Sequence, residues 1–188
     1  MLAQALAAEG IASVRIDKRG LFASAGAGDP NAVTFGGYAA DARSWAKIAR
    51  GKAATACTWL IGHSEGGLVA LVAAAEAGPS LCGLVLVAAP GRPMGEVLRE
   101  QLDANPANTP LLPDAHAAID ALEHGRQIDV SRFHPALQTL FSPGLQDFLI
   151  DAFSRDPARL IAGLALPVLI VQGDNDLQVV VADAQRLA

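Results

Sequence analysis

The hydrophobic positions of the chain fall into short continuous runs, and segments with helical spacing separate these runs. The runs cover residues 11–16, 56–61, 83–89 and 167–172. Short apolar runs without polar alternation are typical of strands that are buried on both faces. Because helical patterns alternate with them, the sequence predicts an α/β fold, with a mostly parallel sheet that carries helices on both faces.

The helical segments have distinct signals at their ends. Residues 2–9 are rich in alanine, and Gly10 is a typical helix stop. After Thr34, a candidate N-cap, apolar residues recur at spacings of three and four, which predicts an amphipathic helix with Phe35, Tyr38, Ala42, Trp45 and Ala49 on one face. Residues 68–77 are apolar on all sides and predict a buried helix, ended by Gly78 and Pro79. Residues 21–33 are rich in small residues and predict a loop.

Residues 90–163 interrupt the alternation of strands and helices. They hold eight of the eleven prolines and four of the six phenylalanines, together with several short helical patterns. This composition predicts a helical cap inserted into an α/β core that comprises residues 1–89 and 164–188. The four phenylalanines either line an acyl or aromatic substrate pocket or pack the cap against itself. They are Phe133, Phe141, Phe148 and Phe153.

Composition narrows the class of protein further. A chain of 188 residues with 52% hydrophobic positions predicts one folded domain. The net charge of −5, with no basic cluster, argues against a nucleic-acid partner, and no apolar run is long enough to predict a membrane span. Cys57 and Cys82 lie in or beside apolar runs without metal-ligand spacing, which predicts two buried thiols, no metal and a cytoplasmic location. No cofactor motif is present, and no oligomeric state is predicted.

The chemically most informative segment is Gly62-His63-Ser64-Glu65-Gly66, a G-x-S-x-G pattern. A chance match is the alternative, because the chain contains 18 glycines. The pattern, however, lies between a predicted strand and a predicted helix, which is the context of a nucleophile elbow. Glycines at 62 and 66 leave room where strand and helix approach each other. The sequence therefore predicts an exposed hydroxyl at Ser64.

Two further turns flank this motif in the chain. Residues 17–24 read D-K-R-G-L-F-A-S, and residues 173–176 read G-D-N-D after the last predicted strand. In this order the elements resemble the α/β-hydrolase superfamily, and within it the serine esterase and serine aminopeptidase-like branch. The first turn is similar to the D-x-R-G-x-G-x-S turn of that branch, with Ala23 in place of a glycine. The resemblance implies structural roles for Asp17 and Arg19.

The resemblance also implies the remaining catalytic groups. The acid of the triad follows the late strand, which makes Asp176 the candidate. Asp174 is the competing candidate, and its alternative role is that of an Asx-type turn residue. The backbone N–H of Glu65 is the expected oxyanion donor. A triad needs a histidine as base, yet none of the twelve residues after Asp176 is one. His63 is expected to point away from Ser64, and the other three histidines, His116, His124 and His134, belong to the cap.

The resemblance implies one more strand and a second oxyanion loop, both ahead of the first helix in the chain. In the sheet this strand would lie between the strands at residues 11–16 and 56–61. The 188 residues are therefore expected to be incomplete at both ends. The function implied is a serine hydrolase that cleaves an ester, thioester or amide of a small-molecule acyl substrate through an acyl-serine intermediate, impaired because the triad histidine is absent. The alternatives are an acyltransferase with the same nucleophile and a catalytically inactive fragment or binding remnant.

Overall fold

A computed structural model describes residues 1–29, 32–77 and 80–188. Three strands form one sheet: β1 (Thr58–His63), β2 (Leu81–Val87) and β3 (Val168–Val171). The α-helices are α1 (Leu2–Ala8), α2 (Phe35–Ala53), α3 (Glu65–Ala77), α4 (Met94–Asp103), α5 (Leu112–Glu123), α6 (Pro135–Leu140), α7 (Pro143–Phe153), α8 (Pro157–Ala162) and α9 (Val181–Leu187). Shorter 3-10 helices cover Phe22–Ala27 and Pro106–Leu111.

The sheet has the order β1-β2-β3, and both pairs of strands are parallel. Ile61 pairs with Val85 and His63 with Val87, while Val87 also pairs with Val171 on the other side. The carboxyl ends of the three strands therefore meet at one edge of the sheet. The α/β class and the parallel sheet agree with the sequence prediction.

The two faces of the sheet differ in how well they are covered. One face contributes Leu84 and Leu86 to a hydrophobic cluster that draws on α2, α3, α8 and α9. On the opposite face Trp59, Ile61 and Leu169 are about half exposed, at 49%, 47% and 55%. Successive side chains of a strand point to opposite faces, so a continuous apolar run places apolar side chains on both faces. The described helices cover one of these faces more fully than the other.

The prediction of a strand at residues 11–16 is wrong for the described structure, in which these residues form no strand. Ile11, Val14 and Ile16 are about half exposed. A strand is stable when a neighbour pairs its backbone groups, and none of the described strands pairs with this segment. The segment nevertheless ends beside the sheet, because the ammonium of Lys18 contacts the carboxylate of Glu65, 2.7 Å away.

Helix α2 begins as predicted and extends slightly further. The Thr34 side chain accepts a hydrogen bond from the Gly37 amide, which is an N-cap. Its buried face contains Phe35, Ala39 and Ala46. The predicted position of Trp45 on that face is wrong, because Trp45 is 40% exposed and Ala46 lies inward instead. The predicted stop of α3 at Gly78 and Pro79 lies outside the described residues.

The segment between β2 and β3 is helical, from α4 to α8. Phe141 and Phe153 are buried in a cluster with Ile119 and Leu122 of α5. Phe148 packs against α2, with its ring centroid 5.0 Å from that of Phe35. These phenylalanines therefore pack helices against each other and against the core.

A hydrogen bond adds to this contact between α7 and α2. The Gly36 amide at the start of α2 donates to the Asp151 carboxylate, 3.0 Å away. Arg155, two residues after the end of α7, also donates to Asp151. The segment is thus docked by both apolar and charged groups.

The prediction of two free thiols is wrong. Cys57 and Cys82 form a disulfide with a Cα–Cα distance of 5.2 Å, across a sequence separation of 25. Cys57 precedes β1, and Cys82 lies in β2 where the strand register shifts. Adjacent strands bring the two residues within bonding distance, which their spacing in the sequence does not reveal. A cytoplasmic location, which was predicted from free thiols, therefore loses this support.

Within the described ranges, none of the helices has the length and hydropathy that crossing a membrane requires.

Candidate active site

Ser64 lies in the turn between β1 and α3, at the carboxyl edge of the sheet. Its φ angle is +53°, in the left-handed region that non-glycine residues rarely adopt. The Ser64 amide donates to the Val87 carbonyl of β2 at 2.9 Å, and the Ser64 carbonyl accepts from the Gly67 amide at 2.8 Å. The turn is therefore held by hydrogen bonds on both sides of the strained residue.

Two glycines allow the strand and the helix to approach this closely. A Cβ on Gly62 would lie 2.2 Å from the Gly66 carbonyl oxygen, and a Cβ on Gly67 would lie 2.4 Å from the Cβ of Ala89. A Cβ on Gly66 would meet no atom within 4 Å. The sequence predicted that Gly62 and Gly66 leave room for this approach, whereas the structure requires Gly62 and Gly67. The signal was present as the second glycine of the Gly66-Gly67 pair.

Asp176 lies in the segment that follows β3. Its Oδ1 accepts hydrogen bonds from the amides of Gln178, at 2.9 Å, and Val179, at 3.1 Å. These bonds, with smaller contributions from the Gln172 side chain and from His63, lower the pKa of Asp176 below its ordinary value. Asp176 is therefore ionised at neutral pH.

Asp174 is exposed and its Oδ1 accepts from the Asn175 side chain at 3.1 Å. Asp174 is the competing candidate for the triad acid, with the role of a turn residue as its alternative. Of these two carboxylates, Asp176 is the one described as accepting backbone amides, from the residues two and three positions further on.

A buried ion pair next to this segment had no counterpart in the sequence analysis. Asp183, on α9, has no exposed surface. Its Oδ1 accepts from the Gly91 amide and from Nε of Arg92, while its Oδ2 accepts from Nη2 of Arg92 and from the Val180 amide. Burial raises the pKa of Asp183, but the hydrogen bonds from Arg92 and Gly91 outweigh it, so that the pKa lies below its ordinary value. The sequence separation of 91 between Arg92 and Asp183 explains why spacing gave no signal.

The turn at residues 17–24 lies beside Ser64 through the pair of Lys18 and Glu65. The Lys18 ammonium also lies 5.0 Å from the centre of the Tyr38 ring. Arg19 forms a two-pronged contact with Asp41 of α2, and Asp17 accepts from the Ala23 amide. Arg19 and Asp17 therefore hold the turn itself and attach it to α2, in line with the structural roles that the sequence analysis gave them.

Three of the four histidines have hydrogen-bond partners other than Ser64 among the described residues. His116 contacts Asp103, His124 contacts the Asp120 carbonyl, and His134 accepts from the Ala136 amide. His63 is exposed on β1, directly before Ser64. In the part of the chain that the structure describes, no hydrogen bond joins a histidine to Ser64, and no group of three His, Cys, Asp or Glu residues could hold a metal ion.

Comparisons with known proteins identify a family and a relative that are similar to this chain. The model of the family described as serine aminopeptidase, S33, matches residues 1–188. Esterase EstD of Thermotoga maritima is 26% identical over 185 residues, which are 98% of this chain and 42% of EstD. The chain thus spans less than half the length of this curated relative.

Solved structures give the same fold. Rv0554 from Mycobacterium tuberculosis matches with a TM-score of 0.61 at 20% identity, over 98% of this chain and 69% of that chain. An alpha/beta fold family hydrolase from Bacillus anthracis str. Sterne matches with a TM-score of 0.50 at 16% identity, over 80% of this chain and 62% of that chain. At these identities the likeness shows the fold alone.

Proposed function

Because the chain belongs to the serine aminopeptidase S33 family of the α/β-hydrolase superfamily, we propose that Ser64 is the nucleophile of a serine hydrolase. The Ser64 hydroxyl attacks the carbonyl carbon of a small-molecule ester, thioester or amide. The alcohol, thiol or amine leaves with a proton, and an acyl-serine remains. Water then cleaves the acyl-serine and releases the acid. Of the three substrate classes, the similarity to Esterase EstD favours esters.

The observation that carries this proposal is the conformation of Ser64. A φ of +53° costs free energy for a residue with a side chain. Such strain persists only where the surroundings hold it, and here the Ser64 amide is bonded to the Val87 carbonyl and the Ser64 carbonyl to the Gly67 amide. A strained serine between a parallel strand and a helix supports the role of nucleophile, because this turn directs the hydroxyl away from the sheet.

The turn also supports a site for the developing negative charge. Glu65 is the first residue of α3, a helix of 13 residues. The amides at the start of a helix point outward, and the helix dipole favours an anion there. We assign the Glu65 backbone N–H as one oxyanion donor, which stabilises the tetrahedral intermediate after attack by Ser64.

Asp176 is the proposed triad acid. Its role is to orient an imidazole and to stabilise the imidazolium that forms when that imidazole takes the Ser64 proton. Since no histidine among the described residues bonds to Ser64, we propose that these 188 residues react slowly on their own. An inactive remnant would not react at Ser64 at all. An acyltransferase would use the same residues with an acceptor other than water.

The test is covalent labelling of the 188-residue chain with a fluorophosphonate, read by mass spectrometry, with and without added imidazole. Free imidazole supplies the base in solution. We expect one adduct per chain, located at Ser64, whose rate rises with imidazole concentration. The control is Ser44, an exposed residue of α2 whose hydroxyl donates to the Ala40 carbonyl. Ser44→Ala should therefore label like the unchanged chain, whereas Ser64→Ala should not label.

Labelling that persists in Ser64→Ala would refute the assignment of the nucleophile. An absence of adduct at Ser64 even at high imidazole would favour the inactive remnant. Rapid labelling without imidazole would show that this chain supplies its own base.

A further inference from the structure

The ion pair of Arg92 and Asp183 connects two parts of the chain that meet at the carboxyl edge of the sheet. Arg92 follows β2, and Asp183 lies in the first turn of α9, which follows the Asp176 segment. Four donor groups engage the two Asp183 oxygens at 2.9 to 3.3 Å. A buried carboxylate with all its partners in place has a single favourable position. The contact therefore fixes α9 relative to the end of β2.

The end of β2 also holds the turn of Ser64. The Val87 carbonyl accepts from the Ser64 amide at 2.9 Å, and the next residue, Ala88, donates its amide to Val171 of β3 at 2.8 Å. Gly91 continues the same exit segment. A Cβ there would lie 2.1 Å from the Asp183 carbonyl oxygen, so α9 packs directly on this backbone. One short segment thus contacts both the serine turn and α9.

The Asp176 segment, residues 172–180, is closed on itself and attached to α9. The Gln172 side chain donates to the Val179 carbonyl at 2.7 Å, which joins the two ends of the segment. The Val180 amide donates to Asp183 of α9 at 3.3 Å. Between them Asp176 accepts the amides of Gln178 and Val179. The position of the Asp176 carboxylate therefore depends on where α9 begins.

We propose that Arg92 and Asp183 are positioning residues, whose buried ion pair holds the Asp176 segment at a fixed place relative to the Ser64 turn. The inference rests on the proposed function, because it assigns the pair a purpose in the reaction of Ser64. Neither residue touches the reacting atoms. They act through the Val180 amide on one side and through the exit of β2 on the other. Misplacement of a catalytic group by about 1 Å costs on the order of a hundredfold in rate.

Three variants distinguish the charge of the buried ion pair, its geometry and the effect of losing an ion pair at the surface. Asp183→Asn keeps the shape of the side chain and removes its charge. Arg92→Lys keeps the positive charge but loses the planar fork that contacts both oxygens, and it provides a second variant should Asp183→Asn fold poorly. The matched control is Glu96→Gln. Glu96 contacts Arg186, so it also joins α4 to α9, but 3.7 Å apart and with both side chains about half exposed.

The first readout is amide hydrogen exchange under native conditions. In Asp183→Asn and Arg92→Lys we expect exchange at Gln178 and Val179 to accelerate by at least about tenfold relative to Leu71 in the core of α3. The Asp176 pKa, followed by NMR of its carboxyl carbon, should rise toward the ordinary value because its two amide donors are no longer held. Glu96→Gln should change neither quantity.

The second readout is labelling of Ser64 with and without imidazole. Asp176 acts only through an imidazole, so Asp183→Asn should lower the imidazole-dependent part of the rate by about tenfold. The imidazole-independent part should stay unchanged.

Two results would overturn the inference: equal acceleration of exchange at Gln178 and Leu71, which means general destabilisation, or equal loss of both parts of the labelling rate. Failure of the proposed function looks different, because Ser64 would then take up no label in the unchanged chain while the exchange experiment still reports on the segment.

Discussion

Ser64 and Val87 are joined by a hydrogen bond of 2.9 Å from the serine amide to the valine carbonyl. Val87 is the last residue of the central strand, and its own neighbour in β3 is Val171. The central strand of the sheet and the helix that follows Ser64 therefore both hold the strained serine in position. Changes at this junction should affect the turn more than changes along α3.

Gly62→Ala tests how tightly the strand and the helix approach at the turn. The new Cβ would lie 2.2 Å from the Gly66 carbonyl oxygen, which is backbone and cannot rotate away. We expect the free energy of unfolding to fall by about 3 kcal/mol, measured by urea denaturation.

Gly66→Ala is the matched control for this prediction. Its Cβ meets open space in the first turn of α3, so stability should stay the same or rise by up to about 1 kcal/mol. Equal effects of the two substitutions would contradict the close approach at Gly62.

Removal of the disulfide should destabilise the fold. The bond between Cys57 and Cys82 closes a loop across a separation of 25 residues. Loop-closure entropy for such a length corresponds to about 3 kcal/mol. We expect the free energy of unfolding, measured by urea denaturation, to fall by this amount when a reducing agent is added. The double variant Cys57→Ser with Cys82→Ser should have the lower stability from the start and should not respond to the reducing agent. A response of this variant would show that the agent destabilises the chain by a route other than this disulfide.

The buried ion pair predicts a pH dependence of stability. The pKa of Asp183 is below its ordinary value in the folded chain, so its contribution is present above about pH 4 and is lost as the pH falls through the folded pKa. At pH 7, Asp183→Asn should lower the free energy of unfolding by about 3 kcal/mol, because Arg92 loses its buried partner and keeps only the half-exposed carboxylate of Glu100. The difference between the two proteins should shrink toward pH 2 to 3, measured by denaturation at each pH. A difference that stays constant with pH would contradict the charged state of Asp183.

The aromatic contact between α7 and α2 should contribute to stability. Phe148 packs on Phe35, and its ring also meets Tyr38 edge-on, with centroids 6.0 Å apart. Phe148→Ala should lower the free energy of unfolding by about 3 kcal/mol, measured by thermal denaturation. Phe22 is the control of the same residue type, since it is 84% exposed, and Phe22→Ala should have an effect within about 0.5 kcal/mol. If both substitutions had the same small effect, the helices between β2 and β3 would not depend on this contact.

The elements with strong local signals were predicted well. The N-cap at Thr34 and the spacing of apolar residues after it identified α2, and the apolar runs identified β1, β2 and β3 within two or three residues. Trp45 was assigned to the wrong side, because a helix of 19 residues with many alanines has a weakly defined apolar face.

Features that depend on distant parts of the chain were missed or mistaken. Residues 11–16 have the composition of a strand, but composition does not provide a pairing partner. The disulfide and the pair of Arg92 and Asp183 join residues that only the folded chain brings together. For the candidate site, Ser64 and Asp176 could be named from local motifs, whereas the residues that surround them could not. The catalytic roles of both stay predictions.

The bond between Cys57 and Cys82 turns β1, the serine turn and α3 into a covalent ring. A protease that cuts once inside this ring, for example after Glu65 or Glu76, leaves one molecule of unchanged mass apart from the added water. The nick becomes visible on a gel only after reduction. Trypsin leaves the whole ring in one long peptide, because no lysine or arginine lies between Lys52 and Arg92.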